Sequence, residues 1–446
     1  MILNTILRWI SGLSFVALLV GASLVAPIDF TPLHDQPFYN MMMDRVGNFR
    51  PTEYPSKGTL NVGWSKFSIV PDHSMPMAGY KPRPDFESVH DSLYMRILSV
   101  DNGGVVAYFV SADLLLFPPV LKEKIASRLG DNWPGFIYYS ATHTHTSVGG
   151  WDPSFLGQIL MGNYDDEYMN RLADQVVIHL NHAKETAGKS TISYWERDVE
   201  NYISNRIDRF APVDSKFRGL IIEREDGKKA IQIVLGAHPT FVSKRFTALS
   251  GDFPAALQSA LSSTFDFTQY MAGMVGSQRF RGLSNSYDFE LVEQAGKLLA
   301  NFVIEKTERE ILPPVEIKTG RIPIEYGDSQ LRITSSLRLR NWFFKAVSRP
   351  LQGDITYLQV GNVLYLGMPC DFSGELFIRQ NLGEFAASKG LSLVVTSFNG
   401  DYTGYITADE HYPTSDDEEV RILNWVGHYF GQYSSEIVKA LITKTD

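Results

Sequence analysis

The chain has 446 residues, a formal charge of −9 and no long basic or low-complexity run, which excludes nucleic acid as its main partner. Its length is enough for one large buried core or two. Cys370 is the single cysteine, so no intramolecular disulfide can form.

From Trp9 to Ile28 there is no charged residue, most positions are apolar, and Arg8 stands on the N-terminal side. About twenty apolar residues cross a bilayer as one helix, and the arginine fits the positive-inside rule. Residues 1–28 are therefore expected to be a membrane anchor, or a signal peptide cleaved among the small residues of Ala22 to Ala26. No cysteine follows, which excludes a lipoprotein anchor. Under either reading the body, residues 29–446, is expected to be exported and to form a single domain.

Pro51 to Lys57 reads as a loop. Gly104 to Val110 is β-rich and runs into Ser111-Ala112-Asp113; Val120 to Leu129 reads as a helix. Gly135 to Ser140 reads as a buried strand and leads into Ala141-Thr142-His143-Thr144-His145-Thr146, with Gly149-Gly150 beyond. Side chains two apart on a strand share a face, so His143 and His145 are expected to reach toward one site. Two imidazoles on one face are a start for a zinc centre; the alternative is two solvent-facing histidines on an edge strand.

Asp166 to Ala187 reads as a long helix. Ala230 to Leu235 is a strand ending in Gly236-Ala237-His238-Pro239-Thr240. Phe253 to Ser263 and the amphipathic Asp288 to Thr307 read as helices. Ile355 to Val360 and Val363 to Leu366 form a hairpin across Gly361-Asn362 and run into Pro369-Cys370-Asp371-Phe372. Asp371 has a second reading, as the N-cap of a helix beginning near Ser373. Leu391 to Thr396 is a strand before Asn399-Gly400-Asp401-Tyr402-Thr403-Gly404-Tyr405. The last helix is expected to start at the capping box Ser415-Asp416-Asp417-Glu418 and run near to Lys444. Arg338 to Arg349, with Trp342, Phe343 and Phe344, reads as a half-buried element with a solvated face, or as a membrane-surface segment.

Several strands thus end in loops rich in His, Asp or Tyr. The expected fold is α/β: a mixed β-sheet core flanked by helices, with a site built from strand-end loops and one membrane helix in front.

Taken together, the ordered motifs resemble the catalytic domain of the neutral/alkaline non-lysosomal ceramidases. They are His143-Thr144-His145, Ala237-His238-Pro239-Thr240, Ser250-Gly251-Asp252, Pro369-Cys370-Asp371-Phe372 and Tyr402-Thr403-Gly404-Tyr405-Ile406-Thr407. Asn61-Val62-Gly63-Trp64, Met77-Ala78-Gly79-Tyr80 and Val110-Ser111-Ala112-Asp113-Leu114 add to the resemblance. It implies one zinc ion (Zn2+) held by His143, His238, Asp371 and Tyr405, with Tyr402 as the other tyrosine candidate. It implies His145 as the acid/base, Arg206 of Asn205-Arg206 as a substrate-holding group, and Ser277 in the place of an active-site serine. Asp113 and Asp252 are expected behind the site or in turns.

Three features depart from the family pattern. Asp371 stands where the family has Glu, so the backbone must approach more closely or Glu375 must serve. The family's Gly-Asp-Val-Ser-Pro-Asn stretch is replaced by Ala272 to Arg279. Ser147 and Val148 replace a glycine and a proline. The family's C-terminal immunoglobulin-like domain has no matching segment. The implied reaction is cleavage of the amide of an N-acylated lipid such as ceramide, by metal-activated water, into a fatty acid and an amine. Two other readings stay open. One is a ceramidase-like protein that binds a lipid or a partner without catalysis; the other is a zinc hydrolase of a non-lipid amide or ester.

Overall fold

The computed structural model describes residues 2–445 apart from 81, 282, 284–287, 306–308, 313–314 and 416. A nine-stranded sheet runs in the order Phe267–Ala272, Lys229–Leu235, Lys216–Arg224, Gly188–Asp198, Asn61–Ser68, Tyr94–Asp101, Val106–Ala112, Gly135–Ala141, with Arg309–Ile311 added beside Gly188–Asp198. Its two outermost pairs are parallel and the pairs between them are antiparallel. A five-stranded sheet follows the order Thr52–Tyr54, Ile317–Pro323, Asp354–Val360, Val363–Gly367, Ser392–Thr396. Its last pair is again parallel.

The period-2 alternation of the strands sorts side chains into layers. Leu98, Val100, Phe109 and Tyr138 pack against Leu358, Tyr365 and Val394 of the smaller sheet. Met95, Ile97, Val110 and Tyr139 face the opposite way, onto Leu121, Leu172 and Val176 of the helices Pro119–Leu129 and Asp166–Glu185. The smaller sheet carries the helices Pro37–Asn48 and Phe430–Ile442 on its outer face. The result is four layers, helix–sheet–sheet–helix. Each large apolar side chain so buried contributes about 1.5–3 kcal/mol.

Polar groups between the sheets are paired, as burial requires. The Tyr365 hydroxyl donates to Gln232 Oε1 at 2.7 Å, and the Tyr138 and Thr396 hydroxyls meet at 2.7 Å. Ser397 ties the C-terminal ends of two parallel strands together. Its N–H donates to the Ala272 carbonyl at 3.0 Å and its hydroxyl to the Gly273 carbonyl at 2.8 Å. Residues that follow the parallel strands are thereby gathered at one end of the sandwich, where open α/β sheets place their ligands.

The helix Ile2–Leu24 comes first. Its side chains at 2–8 and 15–18 lie outside the described residues. Among the described residues no helix is long and apolar enough to cross a membrane. The end of this helix is tied to the body. The Ser23 and Leu24 carbonyls accept from Trp342 Nε1 and Arg340 N–H, and Val25–Pro27 pairs with Leu337–Leu339. Arg338 to Arg349 is the end of that strand plus the helix Asn341–Val347, with Phe344 buried and Trp342 exposed.

The C-terminal region departs from expectation. The last helix is Phe430–Ile442, preceded by short helices at His411–Thr414 and Glu418–Arg421. Asp416 of the expected capping box lies outside the described residues. Backbone groups between these helices are used elsewhere: the Leu423 carbonyl accepts from Tyr405 N–H and the Trp425 carbonyl from Gln330 N–H. Tertiary pairing has displaced helix.

Candidate metal centre

His143 leaves the edge strand Gly135–Ala141 by a sharp turn rather than by continuing it. Its φ is 67°, the left-handed region that a side chain disfavours. The turn is held by Thr142 N–H on the Ala112 carbonyl and His143 N–H on the Leu114 carbonyl. The Thr144 and Thr146 hydroxyls both donate to the Ser250 carbonyl, at 2.7 and 2.8 Å. The Ser250-Gly251-Asp252 motif is therefore the anchor of the histidine loop. His143 and His145 do share a site, with Nε2 atoms 3.3 Å apart, but through a turn and not through strand alternation.

The Met77-Ala78-Gly79-Tyr80 segment closes over this loop, with Met77–Ala78 paired to Ser147–Val148. A Cβ on Gly79 would lie 2.5 Å from the His145 Cα, and its φ is 99°. Glycine is needed there for both reasons. Arg83 braces the loop from the same side by donating to the His145 carbonyl at 2.9 Å.

His238 follows the strand Lys229–Leu235 and is buried. Asp371 and Tyr405 face each other across a two-residue parallel ribbon, Asp371–Phe372 on Tyr405–Ile406. Asp371 Oδ1 lies 3.4 Å from His143 Nε2 and 3.8 Å from His238 Nε2. The Tyr405 hydroxyl is 2.9 Å from His238 Nε2. Tyr402 takes a different place: its hydroxyl donates to Asp371 Oδ2 at 2.8 Å. The N-cap of the helix Gly374–Arg379 is Ser373, so Asp371 does not serve there.

A carbonyl oxygen only accepts, which fixes two tautomers. His143 Nδ1–H donates to the Leu115 carbonyl at 2.6 Å, and His238 Nδ1–H donates to the Gln278 carbonyl at 3.1 Å. Both then present an Nε2 lone pair to the cluster. The Nδ1 of His145 has no hydrogen-bond partner among the described residues. The three imidazoles offer nitrogens within 4.8 Å of one another, a group able to hold a metal ion. Burial pushes His143 down to about 3, with the Arg206 charge adding to the fall and the Leu115 bond opposing it. Burial likewise holds His145 and His238 well below the ordinary imidazole value, reinforced by the neighbouring histidines and by Arg206. All three are neutral at pH 7, the form that ligates metal.

Arg206 is half-buried, and its N–H donates to the Ser277 carbonyl at 2.9 Å. The Ser277 hydroxyl accepts from Glu375 N–H at 3.1 Å. Glu375, considered from the sequence as a replacement for Asp371, points elsewhere. Its carboxylate accepts from Asn205 Nδ2 at 3.0 Å and meets His411 Nε2 at 3.1 Å and Arg379 at 2.8 Å. Asp113 is in a buried ion pair with Arg96 at 2.7 Å. Asp252 caps its own turn, accepting from Phe253 N–H at 2.6 Å and Val242 N–H at 3.0 Å.

Sequence reasoning did not find the Leu115 carbonyl, the Arg83 brace, or Phe398, whose ring stacks on His143 at 4.3 Å. None of these carries a local signal. A cavity of about 550 Å³ opens beside the cluster, with Arg206 and Tyr80 in its wall. The Tyr80 ring lies 5.0 Å from that of His145.

The fold has known counterparts. The neutral ceramidase of Pseudomonas aeruginosa superposes with a TM-score of 0.74 at 15% identity, over 87% of this chain and 75% of that one. A ceramidase complexed with C2 gives 0.69 at 14% identity, again over 87% and 75%. No protein-family model matches the sequence, and no curated protein matches it. The chain has the fold of the neutral ceramidases.

Proposed function

We propose that this chain is a zinc-dependent hydrolase that cleaves the amide of an N-acylated amphiphile to a fatty acid and an amine. The observation that carries the reading is the meeting of His143, His238, Asp371 and Tyr405 in one buried spot, with the two imidazoles and the carboxylate each fixed from behind. The Leu115 and Gln278 carbonyls hold the imidazoles, and Tyr402 holds the carboxylate. Nitrogen and oxygen donors in this number suit zinc, and ligands oriented by outer partners are the usual design of such sites. Bound zinc would supply a water with a pKa near 7 and a Lewis acid for the amide carbonyl.

The remaining steps fall to the protein's own groups. Among the described residues the Nδ1 of His145 has no outer partner like those of the other two histidines, so we assign it to proton transfer rather than ligation. Neutral in its half-buried setting, it accepts a proton from the attacking water and passes it to the leaving amine. Arg206 donates charge-assisted hydrogen bonds to a substrate oxygen. Glu375 and Asn205 hold the turn that carries Arg206. Ser277, with its hydroxyl on Glu375 N–H and its carbonyl on Arg206 N–H, is assigned as a positioning residue.

The lipid substrate class is supported by the ceramidase fold. We read residues 1–28 as an export segment, either a membrane anchor or a signal peptide that is cleaved. Elemental analysis of wild type beside His238→Ala tests the centre. The expected result is about one zinc per chain, lost in the variant, with fatty acid released from a short-chain ceramide by wild type only. Absence of metal from both proteins, with no uptake on addition, would sink the reading. Membrane sedimentation of the full chain against residues 29–446 tests the anchor.

A further inference from the structure

The cavity beside the cluster has a charge that a neutral lipid does not call for. Five cationic side chains line it: Arg206, Arg209, Lys244, Arg279 and Arg281. Among the described residues no acidic side chain lines it. This stands in a chain whose formal charge is −9, so the concentration does not follow from overall composition. Like charges packed round one concave site repel one another and raise the local positive potential, an arrangement that favours an anionic occupant.

The cations come from three separate segments. Ser204 to Arg209 and Gln278 to Arg281 lie side by side because Ile203–Asn205 pairs with Gln278–Phe280. Lys244 comes from the loop after His238, and the backbone of His238 bridges that of Arg279. The segment holding Arg279 therefore abuts the cluster directly. Arg209, Lys244, Arg279 and Arg281 are exposed at the mouth, while Arg206 is half-buried at the inner end. Tyr80 joins cavity to centre, lining the one and lying against His145 of the other. At about 550 Å³ the space is of the size that takes a small-molecule head group.

We infer that the substrate is an N-acyl amphiphile whose amine portion carries an oxyanion, a phosphate ester or a carboxylate, seated among Arg209, Lys244, Arg279 and Arg281. Guanidinium forks match both groups through paired hydrogen bonds. The inference rests on the amide-hydrolase reading for its reaction, but the anion site stands on the cavity alone.

Two measurements separate these. First, rates are compared for a short-chain ceramide, the same ceramide carrying a 1-phosphate, and an N-acyl amino acid. At low salt, kcat/KM for at least one anionic amide should exceed that for neutral ceramide by about tenfold or more, and the advantage should shrink at about 0.5 M salt. Which anionic amide leads identifies the oxyanion. Lys244→Ala with Arg279→Ala should raise KM for the anionic amide more than for the neutral one and so close the gap between them. Neutral ceramide cleaved as well as both anionic amides would overturn the inference. Second, calorimetry with dodecyl phosphate, against dodecyl maltoside, reads the site without catalysis. Dodecyl phosphate should bind about tenfold more tightly than the maltoside, lose that advantage in the double variant, and keep it in His238→Ala. Equal binding of the two detergents would refute the anion site even if amide cleavage is found. Preferential binding without any amide cleavage would keep the site and reject the hydrolase.

Discussion

Replacing Tyr402 by Phe should weaken metal binding without unfolding the protein. The Tyr402 hydroxyl donates to Asp371 Oδ2 at 2.8 Å, while Oδ1 faces His143 and His238 at 3.4 and 3.8 Å. The carboxylate is fully buried, so its orientation depends on protein partners and not on water. A hydrogen bond to a charged acceptor is worth about 1.5–3 kcal/mol. At about 1.4 kcal/mol per factor of ten, its loss corresponds to roughly a tenfold to hundredfold drop in metal affinity. The ring itself, packed on Phe398 and Trp425, is kept by Phe. Zinc affinity by competition with a chromogenic chelator, together with the unfolding midpoint of the metal-free protein, reads both effects. Tyr405→Phe run in parallel removes a proposed ligand and should cost at least as much affinity. A Tyr402→Phe protein that holds zinc within a factor of about two of wild type would refute the reasoning that outer partners set this site.

Gly79→Ala should displace the His145 loop, since its Cβ would meet the His145 Cα at 2.5 Å at a φ of 99°. A loss of about 2 kcal/mol or more is expected from strain and overpacking, seen as a lower Tm with impaired turnover. Arg96→Ala strands the buried Asp113 carboxylate and should destabilise by about 3–5 kcal/mol, with zinc stoichiometry unchanged in the folded fraction; denaturant titration measures it. Glu375 holds the His411 imidazole above its ordinary value through their hydrogen bond. A folded value raised above the unfolded one gives stability that is present below about pH 6.5 and lost as pH rises through the folded value. The unfolding midpoint of wild type should therefore fall more between about pH 6 and 8 than that of His411→Gln, and parallel profiles would argue against the linkage.

How much of this was legible follows from the range over which each signal acts. Strands such as Gly135–Ala141 and Lys229–Leu235 were found within a residue or two, because alternation and apolar runs are local properties of the chain. The helices at 119–129 and 289–304 were readable for the same reason. The expectation of a mixed α/β fold with strand-end loops came from those patterns, and the neutral ceramidase fold from the order of short motifs. The C-terminal helix was misplaced because Leu423 and Trp425 give their carbonyls to Tyr405 and Gln330, partners no local rule could name.

The sequence by itself determined which residue types stand after which strands. Tertiary structure alone decided where they point. The left-handed turn at His143, Asp371 beside Tyr405 on a two-residue ribbon, and the turning of Glu375 toward Asn205 and His411 all depend on contacts far apart in the chain. So does the gathering of cations at the cavity wall, where three surface segments meet because two strands pair and one backbone bridges another. Periodicity reports the environment of a face. Convergence is set by sheet order and by the packing of two sheets on each other, and neither is written in any window of the sequence.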